Sequence, residues 1–332
     1  NTGSEADLAV MRIARTVTGN DLIVCFQGAY HGIFDEVLVR RTQSVSGEYR
    51  NQPVAPGIPD SASQNILILD YDDPQSLEII RERVDDIAGV MVEPIQSRHP
   101  EIQPKEFLQE LRKLTTDLGI PLIFDEIITG FRLHPHGAQG WFDVEADLVC
   151  YGKVVGGGFP IGIIAGKREY MDALDGGHWN FGDDTFPEVG VTYFAGTFVR
   201  HPVALTATEA VLLKIKEEGP LLQKDLNKKT AIFAETVNRR YRQLGVPIEL
   251  VSFSSAFFIR YHGHPDYEGL FWHHLRFYGA HHIFGNRPCF LTAAHSAEDL
   301  AELFRTFEAA AVAMQEAGFL PKSEDYQENY FP

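Results

Sequence analysis

Six short apolar runs punctuate the first half of this chain: Leu22 to Phe26, Ile66 to Leu69, Ile87 to Val92, Pro121 to Phe124, Leu148 to Cys150 and Ile161 to Ala165. They are continuous rather than alternating, which is how strands buried on both faces read. Helical stretches lie between them. Glu5 to Thr16 has Ser4 as its expected N-cap, Gln75 to Asp85 follows Pro74, and Lys105 to Leu118 stops at Gly119. Strands and helices in alternation predict an α/β fold, with a mainly parallel sheet covered by helices on both faces. After Pro202 the pattern changes. Long helices are expected over Val203 to Glu218 and Leu221 to Leu244, then strands at Ile248 to Phe253 and Ala256 to Tyr261. Further helices follow near Leu270 to Tyr278 and from Ala297 to Ala317. A large domain over 1–225 and a smaller α+β domain over 226–332 follow from that shift. Gln43 to Ser63 reads as a polar loop carrying three prolines.

Composition narrows the class. With 332 residues, 44% of them hydrophobic, the chain can bury a large core. A formal charge of −17 disfavours a nucleic-acid surface, whose footprint is a basic patch. Cys25, Cys150 and Cys289 are odd in number and scattered, as expected of free thiols in a reducing compartment such as the cytoplasm. Neither a signal peptide nor an apolar run long enough to span a membrane is visible.

Chemistry concentrates at two positions. Asp125 ends the apolar run Ile120-Pro-Leu-Ile-Phe-Asp125, and Lys153 sits in Tyr151-Gly-Lys153-Val-Val-Gly156-Gly157-Gly158. The glycines suggest a phosphate loop, but the Walker pattern requires Ser or Thr after the lysine and Val154 stands there. A carboxylate at a strand's C-terminal end lies where open α/β sheets bind ligands. A lysine on a nearby turn and such a carboxylate are the two groups needed to hold pyridoxal 5′-phosphate (PLP). The amine condenses with the aldehyde, and the acid keeps the pyridine nitrogen protonated.

Six motifs in order extend that pair: Asn1-Thr-Gly3-Ser4-Glu5-Ala6, Ala29-Tyr30-His31-Gly32, Val92-Glu93-Pro94, Asp125-Glu126-Ile127-Ile128-Thr129-Gly130-Phe131-Arg132, Gly152-Lys153 with its glycines, and Ala195-Gly196-Thr197. The set resembles class III PLP-dependent aminotransferases of fold type I. Asp125 to Arg132 is most similar to the glutamate-1-semialdehyde aminomutase branch. Asn286-Arg287-Pro288-Cys289-Phe290-Leu291-Thr292 through His295 and Asp299 is more similar to aminotransferase domains embedded in polyketide and nonribosomal peptide synthases. The resemblance also implies a preceding segment, since Asn1 opens directly inside the phosphate-binding motif.

Residue by residue, the resemblance places the cofactor phosphate at Gly3 and Ser4 ahead of a helix, although Ser4 alone would read as an ordinary N-cap. It places Tyr30 on one face of the ring and Ile127 on the other, with His31 and Glu93 as hydrogen-bonding support. Thr197 would reach the phosphate of a neighbouring subunit, making a homodimer with interface sites. Arg287 is a candidate for the donor's carboxylate. Gly176 to Asp184 has the glycine and aromatic content of a flap over the substrate channel, and equally of a surface loop. His134 and His136, His273 and His274, and His281 and His282 lack the companions of a familiar metal spacing and read as surface or loop histidines.

The reaction implied is ping-pong transamination from an amino-acid donor to a keto acceptor, with Lys153 moving a proton beside the substrate's Cα. Three roles follow from the motifs: amination of a keto group on an acyl chain tethered to a carrier protein, a glutamate-1-semialdehyde aminomutase, or a non-catalytic scaffold of the same fold.

Overall fold

Thr2 begins the first helix. The computed structural model describes residues 1–43, 49–187, 190–263, 268–281 and 287–322, and in it α1 spans Gly3–Thr18. The Thr2 hydroxyl accepts the Glu5 N–H at 3.3 Å. Ser4 is therefore not the N-cap: Thr2 keeps the extended backbone (φ −138°, ψ 163°) while Gly3 and Ser4 have already turned into the helix. The chain continues through β1 (Leu22–Phe26), β2 (Val39–Gln43), β3 (Tyr49–Pro53), β4 (Ile66–Leu69), α2 (Pro74–Glu82), β5 (Ile87–Val92), α3 (Lys105–Leu118), β6 (Leu122–Asp125), α4 (Gly137–Phe142), β7 (Leu148–Gly152), β8 (Gly162–Gly166), α5 (Arg168–Met171) and α6 (Pro202–Glu218). It ends with α7 (Pro220–Leu244), β9 (Ile248–Phe253), β10 (Ala256–Tyr261), α8 (Glu268–Phe277), β11 (Cys289–Phe290) and α9 (Ala297–Glu316).

The main sheet has the order β4-β1-β5-β6-β7-β8. All neighbours are parallel except β8, which runs antiparallel to β7. Every residue of β1, β5 and β6 is buried, which explains their unbroken apolar runs. α1 lies across β5, β7 and β8, pressing Val10, Met11, Ile13 and Ala14 into the core. Parallel pairing sends the ends of β1, β5, β6 and β7 to one edge of the sheet, so the residues that follow them meet there.

Two further details depart from the sequence reading. The stretch expected to be a loop from Gln43 to Ser63 contains β3, paired antiparallel with β2. Its composition is polar because the ribbon is mostly exposed. The Arg41 guanidinium lies 4.2 Å from the centre of the Tyr49 ring across the pair, a cross-strand contact that no run of apolar residues announces. α2 stops at Glu82 rather than Asp85, because Arg83 leaves the helix and pairs with Asp86 at 2.9 Å just before β5.

Contacts divide the chain into two units: Asn1–Gln96 with Ile102–Gly219, and Ser97–Glu101 with the chain from Pro220 onward. The second unit is the three-stranded antiparallel sheet β11-β10-β9 with α7, α8 and α9. Its core is aromatic, built on Phe233, Tyr241, Phe257, Phe271 and Phe307, and the Tyr241 hydroxyl donates to the Phe307 carbonyl at 2.9 Å. Among the described residues no helix is long and apolar enough to cross a membrane.

At the sheet's opposite edge, before β7, Asp147 is buried and fully engaged. Its carboxylate accepts the Leu122 N–H at 2.8 Å, Arg112 of α3 at 2.8 Å and Lys167 at 2.6 Å. Burial pushes this carboxyl up, but Lys167, the Leu122 N–H and Arg112 outweigh it and hold the group below its ordinary value. A depressed carboxylate stabilises the fold above its unfolded pKa, and that contribution is lost as pH falls through the folded one. Asp147→Asn is expected to cost roughly 2–3 kcal/mol at pH 7, read from urea midpoints, with the deficit shrinking in acid.

Candidate active site

Asp125 ends β6 with its carboxylate buried. Oδ1 accepts the Ile127 N–H at 3.0 Å, and Oδ2 lies 2.8 Å from Nδ1 of His31. Burial opposes charge on the imidazole, yet the hydrogen bond to Asp125 and the nearby Cys25 thiol raise its pKa well above the ordinary histidine value. Nε2 of His31 is buried with no hydrogen-bond partner. His31 belongs to the loop after β1, and that loop is held from two sides. The Tyr30 N–H donates to Oε2 of Glu93, the residue following β5, at 3.1 Å. The Ile33 N–H donates to the Ser4 hydroxyl of α1 at 3.2 Å. Between them Gly32 adopts φ 108°, and a Cβ there would collide with Ser4.

Ile127 packs between two glycines. A Cβ built on Gly3 would lie 2.9 Å from its Cγ2, and one on Gly152 would lie 3.2 Å from its Cδ1. It thus joins the start of α1 to the residue preceding Lys153. Lys153 opens the turn after β7 in a left-handed backbone, φ 47°, which a residue bearing a Cβ seldom adopts. Its amine pKa is lowered: desolvation leads and the Arg132 charge adds to it, against the pull of Asp125, Glu93 and Asp7. A lowered amine is more often neutral, the form that attacks a carbonyl.

The structure thus brings together Gly3, Ser4, Tyr30, His31, Glu93, Asp125, Ile127 and Lys153 at the C-terminal edge of the sheet. Thr197 is exposed, one residue beyond Gly196, where a Cβ would lie 3.7 Å from Asn1 Nδ2. Arg287 is exposed and belongs to the second unit. Asn286 and His282 lie outside the described residues. Nδ1 of His134 accepts the His136 N–H at 3.1 Å, and among the described residues no His, Cys, Asp and Glu group is arranged to hold a metal.

Glu126 is a structural organiser to which the motifs alone give no role. It directly follows β6, and it is fully buried. It accepts the Ala138 N–H at 2.6 Å, the Thr129 hydroxyl at 3.1 Å and the Gln139 N–H at 3.3 Å. Gly137 faces it at φ 60°, and a Cβ at that position would strike the carboxylate. The signal available in the sequence is the adjacent acid pair itself: Asp125 ends the apolar run and Glu126 directly follows it.

The donor set fits PLP. Asp125 offers a buried acid for a ring nitrogen, Lys153 an amine for an aldehyde, and the first turn of α1 presents N–H groups that no helical carbonyl reaches. The loop at Gly32 closes against that turn without a side chain in the way. This sheet, with a lysine on the turn after one strand and an acid ending the next, defines a PLP enzyme of fold type I. The residue pattern described as aminotransferase class-III matches residues 1–246, and the chain belongs to that family of PLP-dependent aminotransferases. It is 34% identical to glutamate-1-semialdehyde 2,1-aminomutase 2 of Staphylococcus haemolyticus over 334 aligned residues, covering 93% of this chain and 72% of that protein. An omega-transaminase from Sphaerobacter thermophilus superposes with a TM-score of 0.81 at 26% identity, covering 95% and 73% of the two chains. A transaminase with PLP bound gives a TM-score of 0.81 at 25% identity, covering 96% and 73%.

Burial raises the Glu126 carboxyl from 4.5 to about 7, against the donors of Ala138, Gln139 and Thr129. An acid raised in the fold stabilises it when protonated, so this contribution is complete below pH 4.5 and is lost as pH climbs to about 7. The loss amounts to roughly 3 kcal/mol. Glu126→Gln, neutral throughout, should flatten the stability profile over that window in urea titrations; a profile parallel to wild type would contradict the assignment.

Proposed function

We propose that this chain transfers an amino group from an amino-acid donor to the keto group of an acyl intermediate tethered to a carrier protein, as in polyketide and nonribosomal peptide assembly. The observation that carries the reading is the segment from Trp179 to Phe198. It contains no Lys or Arg, and it exposes Trp179, Phe181, Phe186, Tyr193 and Phe198. Its far end is tied to α1, the helix that opens at Gly3 and Ser4, by Arg12 Nη1 donating to the Tyr193 carbonyl at 2.7 Å. An exposed aromatic stretch that is tied to the phosphate helix and carries no cation of its own suits an acyl chain better than a small carboxylate. The stretch from Arg287 to Asp299 supports the same context through its resemblance to synthase-embedded domains.

PLP supplies an aldehyde that accepts the amino group and a ring that withdraws electrons from Cα. The residues here do the rest. Gly3 and Ser4 hold the phosphate at the helix N-terminus. Tyr30 and Ile127 would confine the ring from its two faces. Asp125, oriented by His31 and the Ile127 N–H, keeps the ring nitrogen protonated. Glu93 fixes the Tyr30 loop. Lys153 would hold the cofactor through its amine and would carry a proton to and from the substrate's Cα. In a homodimer Thr197 would meet the partner subunit's cofactor phosphate, and Arg287 would take the donor's carboxylate.

A second reading, an aminomutase acting on glutamate-1-semialdehyde, is favoured by the name of the Staphylococcus haemolyticus relative. Incubation with a β-keto acyl carrier protein and, separately, with glutamate-1-semialdehyde decides between them. Amination of the tethered chain alone is expected; turnover of the semialdehyde alone would replace the first reading with the second. Lys153→Ala should lose the visible cofactor band and turnover together, and turnover retained in that variant would sink its assignment. Arg287→Ala should raise the donor KM by more than tenfold with little change in kcat; an unchanged KM would remove Arg287 from the site.

A further inference from the structure

Asp7 is a buried carboxyl to which the transamination chemistry gives no task. It sits on the inner face of α1 among Ala6, Ala9, Val10 and Met11, with 2% of its surface exposed. α1 packs on β7, and there the Cys150 thiol lies near enough to Asp7 to favour its charged form. Oδ1 has no partner at all. Cys150 is the register partner of Asp125, so the two carboxyls flank one strand pair beneath the ring-nitrogen site. The titratable groups facing Asp7 are Asp125 from β6, Cys150 from β7, His31 from the loop after β1, and Lys153. Cys25 of β1 stands behind His31. The other strands under α1, β5 and β8, are Ile87–Val92 and Gly162–Gly166 and carry no titratable side chain, while α5 and the turn after it bring Arg168, Glu169, Tyr170 and Asp172 against the helix.

Two carboxylates buried in one cluster do not both ionise at neutral pH, and the one with the better donors keeps the charge. Asp125 has a backbone N–H and an imidazole. Asp7 has at best the neighbouring Cys150 thiol, a weak donor. We propose that Asp7 is a positioning residue acting through Asp125. It carries the proton of the pair, leaving Asp125 the ionised carboxylate that faces the cofactor's ring nitrogen. It gives that proton up only in alkali, where its charge then holds protons on His31 and Lys153. Burial first, and the Asp125 charge second, push the Asp7 carboxyl well above the usual range, in keeping with this geometry.

The inference rests on Asp125 facing the ring nitrogen, and the test separates the two. In the PLP-loaded enzyme at neutral pH, infrared difference spectra should show a protonated-acid carbonyl band that Asp7→Asn abolishes and Cys150→Ala displaces. In Asp7→Asn the alkaline loss of the visible cofactor band should move to lower pH by on the order of one unit, as expected for removing one nearby charge. Because Glu126 contributes its own band near neutrality, the comparison is made in the Glu126→Gln background; a carbonyl band that survives Asp7→Asn there overturns the proposal, as does an alkaline limb at the wild-type pH. If Asp7→Asn does not fold, a carbonyl band that stays in place in Cys150→Ala overturns it equally. A wild-type enzyme that forms no visible band with PLP would overturn the cofactor reading, and this inference with it.

Discussion

A carboxylate buried at the end of β6 persists as an ion only if donors surround it, because an unpaired buried charge costs several kcal/mol. Asp125 is surrounded by donors from different parts of the chain. The Ile127 N–H comes from its own turn, and the imidazole of His31 comes from the loop after β1. That loop in turn needs Glu93 after β5 and Ser4 in α1 to hold its backbone N–H groups. Keeping one charge in the interior therefore dictates the course of three connections. The cofactor pocket is the space those connections leave at the sheet's edge.

Lys153 supplies the opposite case, a cation kept reactive rather than stabilised. Its left-handed backbone is an unfavourable choice for a residue with a side chain, of order 1–3 kcal/mol. The flanking structure maintains it: Gly152 ends β7 in register with β8, Val155 and Gly156 are buried, and Gly157 completes the turn at φ 59°. Desolvation lowers the amine while the neighbouring acids resist. Were a third ionised carboxylate added at Asp7, that balance would tip toward the inert ammonium form. A neutral Asp7 and a nucleophilic Lys153 are thus two sides of one electrostatic condition.

Much of this architecture is legible in the residues alone, and the physical reason is burial. Strands covered on both faces must be continuously apolar, so β1, β4 and β5 can be read to the residue, and Gly119, in left-handed geometry, marks the end of α3. The site residues are legible because each directly follows or ends such a strand. What escapes depends on which way a side chain points. The β2–β3 ribbon is exposed and polar, so its pairing leaves no pattern. Ser4 has the chemistry of an N-cap and spends it on Ile33 instead. Nothing in the sequence marks Asp7 or Glu126 as buried, and only the inner face of α1 and the turn after β6 make both interior.

The distance between Lys153 and Asp125 is set at the end of the strands remote from both. β6 and β7 pair as Ile123 with Leu148, Phe124 with Val149 and Asp125 with Cys150. The register is closed below by the Asp147 N–H on the Leu122 carbonyl and by the Leu122 N–H on the Asp147 carboxylate, each at 2.8 Å. A slip of one residue would turn every side chain of the strand to the opposite face. It would send Asp125 to that face and leave His31 without its partner. Asp147 prevents this because it is charged and its donors come from α3, the start of β6 and the residue before α5 at once. An apolar residue there could fill the same space yet would accept the neighbouring register equally well. The acid at the foot of β7 is therefore what keeps the acid at the head of β6 opposite the lysine.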